Sequence, residues 1–123
     1  MTAASTYLSN DQRFSLADIE DLATAALERW GVRNLSPQLL KHRENTVYRV
    51  EDPSGDPAVL RVHRPGYHDE TAILSELQWM TQLSADGMDL PRPIPTTDGR
   101  LLVSVGTDHS TDKRYVDMLS WVT

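Results

Sequence analysis

The sequence predicts an α+β fold: a five-stranded antiparallel sheet, one helix between the third and fourth strands, and an extra N-terminal helix. Three observations predict it. Two runs rich in strand formers, 46–51 and 58–63, flank DPSGDP (residues 52–57), whose composition fits a hairpin loop. Two amphipathic runs of helical period stand on either side of the strand cluster. Strand and helix do not alternate as a doubly wound parallel sheet requires, so an antiparallel sheet with helices on one side is the expectation.

Taken in order, residues 1–14 are polar with little periodicity and read as a flexible tail, leaving 15–123 as the folded unit. Ser15 stands at a helix N-cap, with Asp18 three positions on in an approximate capping box. Ile19, Leu22, Ala23, Ala26, Leu27 and Trp30 form one apolar stripe, and Gly31 stands where the helix ends. No titratable group lies on that stripe, so its role is packing. Leu35 to His42 is a further strand candidate. The link Arg43-Glu44-Asn45 is short, which makes this segment and Thr46–Glu51 antiparallel neighbours.

Pro65-Gly66 breaks the next strand, Ala58 to His63, and Asp69 and Glu70 open a helix where the macrodipole favours carboxylates. That helix runs to Ala85 and stops at Asp86-Gly87. A proline-rich extended stretch follows, then Asp98-Gly99 as a hairpin signal, a strand over 101–105, the polar loop 106–113 and a final strand over 115–122.

Composition narrows the function classes. The 123 residues suit one domain, and 39% hydrophobic with 24% charged content describes an ordinary globular chain. With 18 acidic against 12 basic residues the net charge is −6, which argues against a nucleic-acid partner. No apolar run approaches the roughly 18 residues of a membrane span, and MTAASTYLSNDQR lacks the apolar centre of a secretion signal. Zero cysteines exclude disulfides and thiolate metal sites, and a cytoplasmic home is the expectation. His42, His63, His68 and His109 do not pair at metal-ligand spacing and read as solvated or capping groups.

Two charges occupy positions that should be buried. Arg61 lies inside the apolar run of the third strand, sharing a face with Val59 and His63. Glu76 falls within the arc defined by Ile73, Leu77, Met80, Leu83 and Trp79 on the second helix. A carboxylate buried without a partner costs several kcal/mol, so Glu76 should meet a cation, and Arg61 is the nearest candidate. Two readings follow: a structural ion pair at the edge of a core, or a site where a strand cation grips nucleotide phosphates and a helix glutamate steadies it.

The run ENTVYRV (44–50), a hairpin, AVLRVHRPG (58–66) and a helix bearing SELQW (75–79) resembles the N-terminal lobe of the aminoglycoside phosphotransferase and choline kinase superfamily. The likeness is to its homoserine-kinase-like and stress-response-kinase-like branches, and it covers residues 35–123. The resemblance implies that Arg61 contacts phosphate and that Glu76 pairs with it. It implies further that Arg43, Glu44, Asn45 and Thr46 form the loop over the phosphates, and that Val50 and Val59 wall the adenine pocket. The backbone of Ser120, Trp121 and Val122 would be the hinge that bonds the adenine edge. ATP is the implied cofactor, with Mg2+ held mainly by a second lobe.

The sequence departs from the family pattern in three places. The phosphate loop carries no glycine, Arg replaces the usual Lys on the third strand, and the catalytic HxDxxxxN and metal-binding aspartate do not occur in these residues. The expectation is therefore a nucleotide-binding lobe without the C-terminal lobe and without turnover of its own, prone to self-association through its exposed cleft face. The alternative is a non-enzymatic binding or interaction module with the same lobe fold.

Overall fold

Five strands make one sheet: β1 (Gln38–His42), β2 (Asn45–Glu51), β3 (Pro57–His63), β4 (Val103–Val105) and β5 (Arg114–Ser120). Their spatial order is β1-β2-β3-β5-β4, and every neighbouring pair is antiparallel. The computed structural model describes residues 15–32, 36–43, 45–66, 69–106 and 113–122. The expected tail, the core of the 106–113 loop, and the readings placed on Glu44, His68 and His109 lie outside the described residues.

Local chemistry sets the elements. Helix α1 (Leu16–Leu27) is closed at its start by the Ser15–Asp18 capping box and runs into a 3-10 turn, Glu28–Trp30. Gly31 ends that turn at φ 77°, a left-handed geometry that glycine adopts without strain. In the 52–57 hairpin the Asp52 carboxylate accepts from the backbone of Ser54 at 2.8 Å and of Asp56 at 2.9 Å. Helix α2 (Glu70–Ala85) begins at Asp69, whose carboxylate accepts the Ala72 N–H at 2.8 Å.

The strands differ from expectation at their ends. β1 and β4 are shorter, and β5 stops at Ser120, before Trp121. The proline-rich stretch supplies the missing edge: Arg92 exchanges two 2.8 Å hydrogen bonds with Ser120, and the Ile94 N–H donates to Met118 at 2.8 Å.

The helices cover both faces of the sheet rather than one. Alternate residues of β3 explain this, because both sets are apolar enough to bury a helix. Ala58, Leu60 and Val62 join Val116, Met118 and the α1 stripe in the main core, where the buried Trp30 indole donates to the Ile94 carbonyl at 2.7 Å. Val59 points the other way, toward Leu119 and the buried Ile73 and Leu77 of α2. Among the described residues no helix is long and apolar enough to cross a membrane.

Candidate functional site

Register decides which side chains meet on the α2 face. Arg61 lies directly across from Val47 on β2 and from Asp117 on β5, and Val59 lies across from Arg49 and Leu119. Directly opposed residues share a face. The α2 face of the sheet centre therefore carries Val47, Arg49, Val59, Arg61, Asp117 and, one step along β3, His63.

Arg61 and Glu76 meet as expected: Nη2 of Arg61 donates to Oε1 of Glu76 at 3.1 Å. The burial expected of Glu76 is corrected, for its side chain is 50% exposed. The buried centre of α2 is Ile73 and Leu77, so the apolar arc is narrower than the pattern implied; Glu76 lies on its rim, and Trp79 beyond it is exposed.

The buried partner is Asp117, which the sequence reading missed. Its carboxylate, 0% exposed, accepts from Arg61 Nε at 2.8 Å and from Arg61 Nη2 at 3.0 Å, a side-on bidentate pair. His63, buried rather than solvated, donates from Nε2 to the same carboxylate at 2.6 Å. Taking an ionised carboxylate fully out of water costs several kcal/mol, and these three donors are what offset it. Burial draws the Arg61 pKa down, but Asp117 and then Glu76 outweigh it, so the net shift is upward and the guanidinium stays charged. Among the described contacts, Nε and Nη2 are committed while both N–H groups of Nη1 are not.

The other expected site residues divide. Asn45 opens β2 opposite His63, on the Arg61 face. Thr46 does not: it pairs with Val62, is buried, and its hydroxyl meets His42 Nδ1 at 2.7 Å. Because Asn45 and Thr46 belong to β2, the connection is a tight turn in which the Arg43 N–H donates to the Asn45 carbonyl at 2.9 Å, not a loop four residues long. Glu44 lies outside the described residues. Val50 pairs with Ala58 and sits in the α1 core, so it cannot wall a pocket with Val59; strand alternation puts them on opposite faces. Val47, directly opposite Arg61, is the β2 valine that shares a face with Val59.

At the end of β5, the Ser120 N–H is already bonded to the Arg92 carbonyl. Trp121 and Val122 lie beyond the strand, partly exposed, and among the described residues no backbone hydrogen bond engages them. The Arg49 guanidinium lies 5.7 Å from the Trp121 ring centroid, a cation–π contact that ties this segment to β2. Arranged together are a fixed cation with a free edge, an apolar patch of Val47 and Val59, and an extended segment with open backbone groups.

Comparison with known proteins identifies the fold. A microcompartment-associated aminopropanol kinase superposes with a TM-score of 0.71 at 36% identity, over 83% of this chain and 31% of that one. An amicoumacin kinase, solved in complex with AMP-PNP, Ca2+ and Ami, superposes with a TM-score of 0.70 at 20% identity, over 94% of this chain and 34% of that one. The chain thus spans about a third of the length of the kinases it matches. Both are aminoglycoside phosphotransferase-like kinases, which bears out the resemblance read from the residues. No protein-family model matches the chain, and no curated protein matches it.

Proposed function

We propose that residues 15–123 form the nucleotide-binding lobe of an ATP-dependent phosphotransferase whose acceptor is a hydroxyl of a small molecule. One observation carries the reading. Arg61 is ion-paired to Glu76 across the strand–helix junction, on the face that also presents Val59, in a fold shared with a kinase at 36% identity. In this reading Nη1 of Arg61 meets a phosphate oxygen, and Val47 and Val59 lie against the base. The open backbone of Trp121 and Val122 bonds the base's edge, and Asn45 flanks the phosphates.

The donor set fits a nucleotide better than a metal. Among the described residues no group of three or more His, Asp or Glu is placed to hold an ion. The Mg2+ ligands and the base for the acceptor hydroxyl are assigned to a second lobe, so these residues by themselves would bind nucleotide without transferring phosphoryl. Titration calorimetry with Mg·ATP tests this. The wild type should release heat on binding, Arg61→Ala should abolish it, and no binding by the wild type overturns the proposal.

The second reading, a non-enzymatic interaction module, is favoured by one observation: Asp117 already pairs with Arg61 through Nε and Nη2 from within the sheet. Under it, Arg61→Ala alters stability alone. The partly exposed Trp121 and Val122 also suit self-association through the cleft face. A strict monomer in sedimentation at high concentration would reject that part.

A further inference from the structure

We infer that Asp117, not Glu76, is the residue that positions Arg61 for phosphate, with His63 holding Asp117 in turn; the phosphate part rests on the nucleotide-lobe reading. The two carboxylates that touch Arg61 are unequal in three respects. Asp117 takes two of the guanidinium's N–H groups, through both carboxylate oxygens, and Glu76 takes one through a single oxygen. Asp117 is 0% exposed and Glu76 50%. Most telling is how each is held. Arg61 and Asp117 are direct cross-strand partners, so the backbone ladder between β3 and β5 sets their separation. Glu76 reaches across from a helix that no backbone ladder joins to the sheet among the described residues, and solvent can replace its half-exposed contact.

The geometry also says which edge of the cation is left over. A side-on pair through Nε and Nη2 aims those hydrogens at Asp117, with Glu76 taking the remaining Nη2 hydrogen, and turns Nη1 outward with two donors. An end-on grip through Nη1 and Nη2 would have hidden that edge. Asp117 therefore fixes the rotation of the guanidinium plane. His63 fixes Asp117: its Nε2–H on Oδ2 at 2.6 Å keeps the carboxylate plane aligned with the guanidinium. The His63 ring is 5% exposed and its Nδ1 finds no partner among the described residues, so the ring is spent on this one contact. Both carboxylates add negative charge beside a cation that must receive an anion. Glu76, half solvated and bonded once, returns less orientation of the guanidinium, which makes its contribution to phosphate affinity the smaller of the two.

Two measurements test this on the chain as it stands. The first is solvent exchange of the Arg61 Nε–H by nitrogen-15 NMR, which reports the grip on the guanidinium and needs no ligand. Exchange should quicken by about tenfold or more in Asp117→Asn and by about threefold or less in Glu76→Gln, given the strength of charge-assisted bonds against exposed pairs. The second is Mg·ATP affinity by calorimetry. It should fall by about tenfold or more in Asp117→Asn and by about threefold in Glu76→Gln. The reverse ranking in either measurement overturns the inference. If Asp117→Asn does not fold, Glu76→Gln decides by itself: protected Arg61 Nε–H supports the assignment and tenfold faster exchange sinks it. If the wild type binds no Mg·ATP, the nucleotide reading and the phosphate part of this inference fall together. The exchange arm then still decides which carboxylate orients Arg61.

Discussion

Beneath α1 the sheet presents Tyr48, Val50, Ala58, Leu60, Val62 and Met118; beneath α2 it presents Val59, Arg61, His63, Asp117 and Leu119. Strands β3 and β5 supply both sets, one residue apart, and β2 adds Tyr48 and Val50 to the first. On the α1 side, apolar side chains are buried against a helix stripe that carries no charge, and the contribution to stability is proportional to area. On the α2 side, two apolar anchors, Ile73 and Leu77, hold the helix, and the middle of the face is given to ions. A protein selected for stability alone would fill that middle with hydrocarbon, since a buried ion pair is often no better than a packed apolar replacement. The contrast separates an ionic face from an apolar one.

The comparison can be broken most sharply at Asp117. Replacing it with Ala leaves Arg61 and His63 facing a void, and about 3–5 kcal/mol of stability should be lost in urea denaturation. A loss below about 1 kcal/mol would mean that the pair is not dry and that the two faces are alike. On the opposite face, Leu60→Ala removes a side chain that is 0% exposed in the main core. It should cost about 2–5 kcal/mol with no dependence on salt. Nucleotide affinity should survive that change wherever the variant remains folded, because Leu60 faces away from Arg61.

Glu76→Ala should cost only about 0–1 kcal/mol, and added salt should shrink even that, because the pair is half solvated. The smallest effect at neutral pH belongs to Tyr48. Its hydroxyl is buried without a partner among the described residues. Burial, and then the charge of Glu20 on α1, push its pKa up to about 12. The folded state thus holds the phenolic proton more tightly than the unfolded chain, whose tyrosines ionise near pH 10. Stability from this group is complete below about pH 10 and is lost as pH rises toward 12. Tyr48→Phe should change the urea midpoint little at pH 7 and make the decline above about pH 10 shallower. An unaltered alkaline decline would show that the proton is not held there.

Much of the site's composition could be read from one dimension, and its weak points can be traced to particular residues. Arg61 was found because a cation interrupts an apolar strand. The same signal exists in Val116-Asp117-Met118-Leu119, where a carboxylate interrupts the last strand, and applied there it points to Asp117. What it cannot supply is the partner. β5 inserts between β3 and β4, so the residue opposite Arg61 lies 56 positions away in the chain. Thr46 and Val50 were grouped with Val59 by likeness of motif, although the two-residue alternation of β2 and β3 with their register separates them.

The sequence by itself determined the elements and the ends of the helices: the Ser15–Asp18 box, the Asp69 cap and the glycines that stop both helices, together with the 52–57 hairpin. Those signals act over a turn or two of chain, where hydrogen bonding and backbone sterics depend only on near neighbours. Tertiary structure alone decided that the helices cover opposite faces, that Asp117 lies across from Arg61, and that Glu76 stands at the rim. Periodicity states which residues share a face, but strand order and helix placement set what that face meets, and both depend on contacts between segments far apart in the chain.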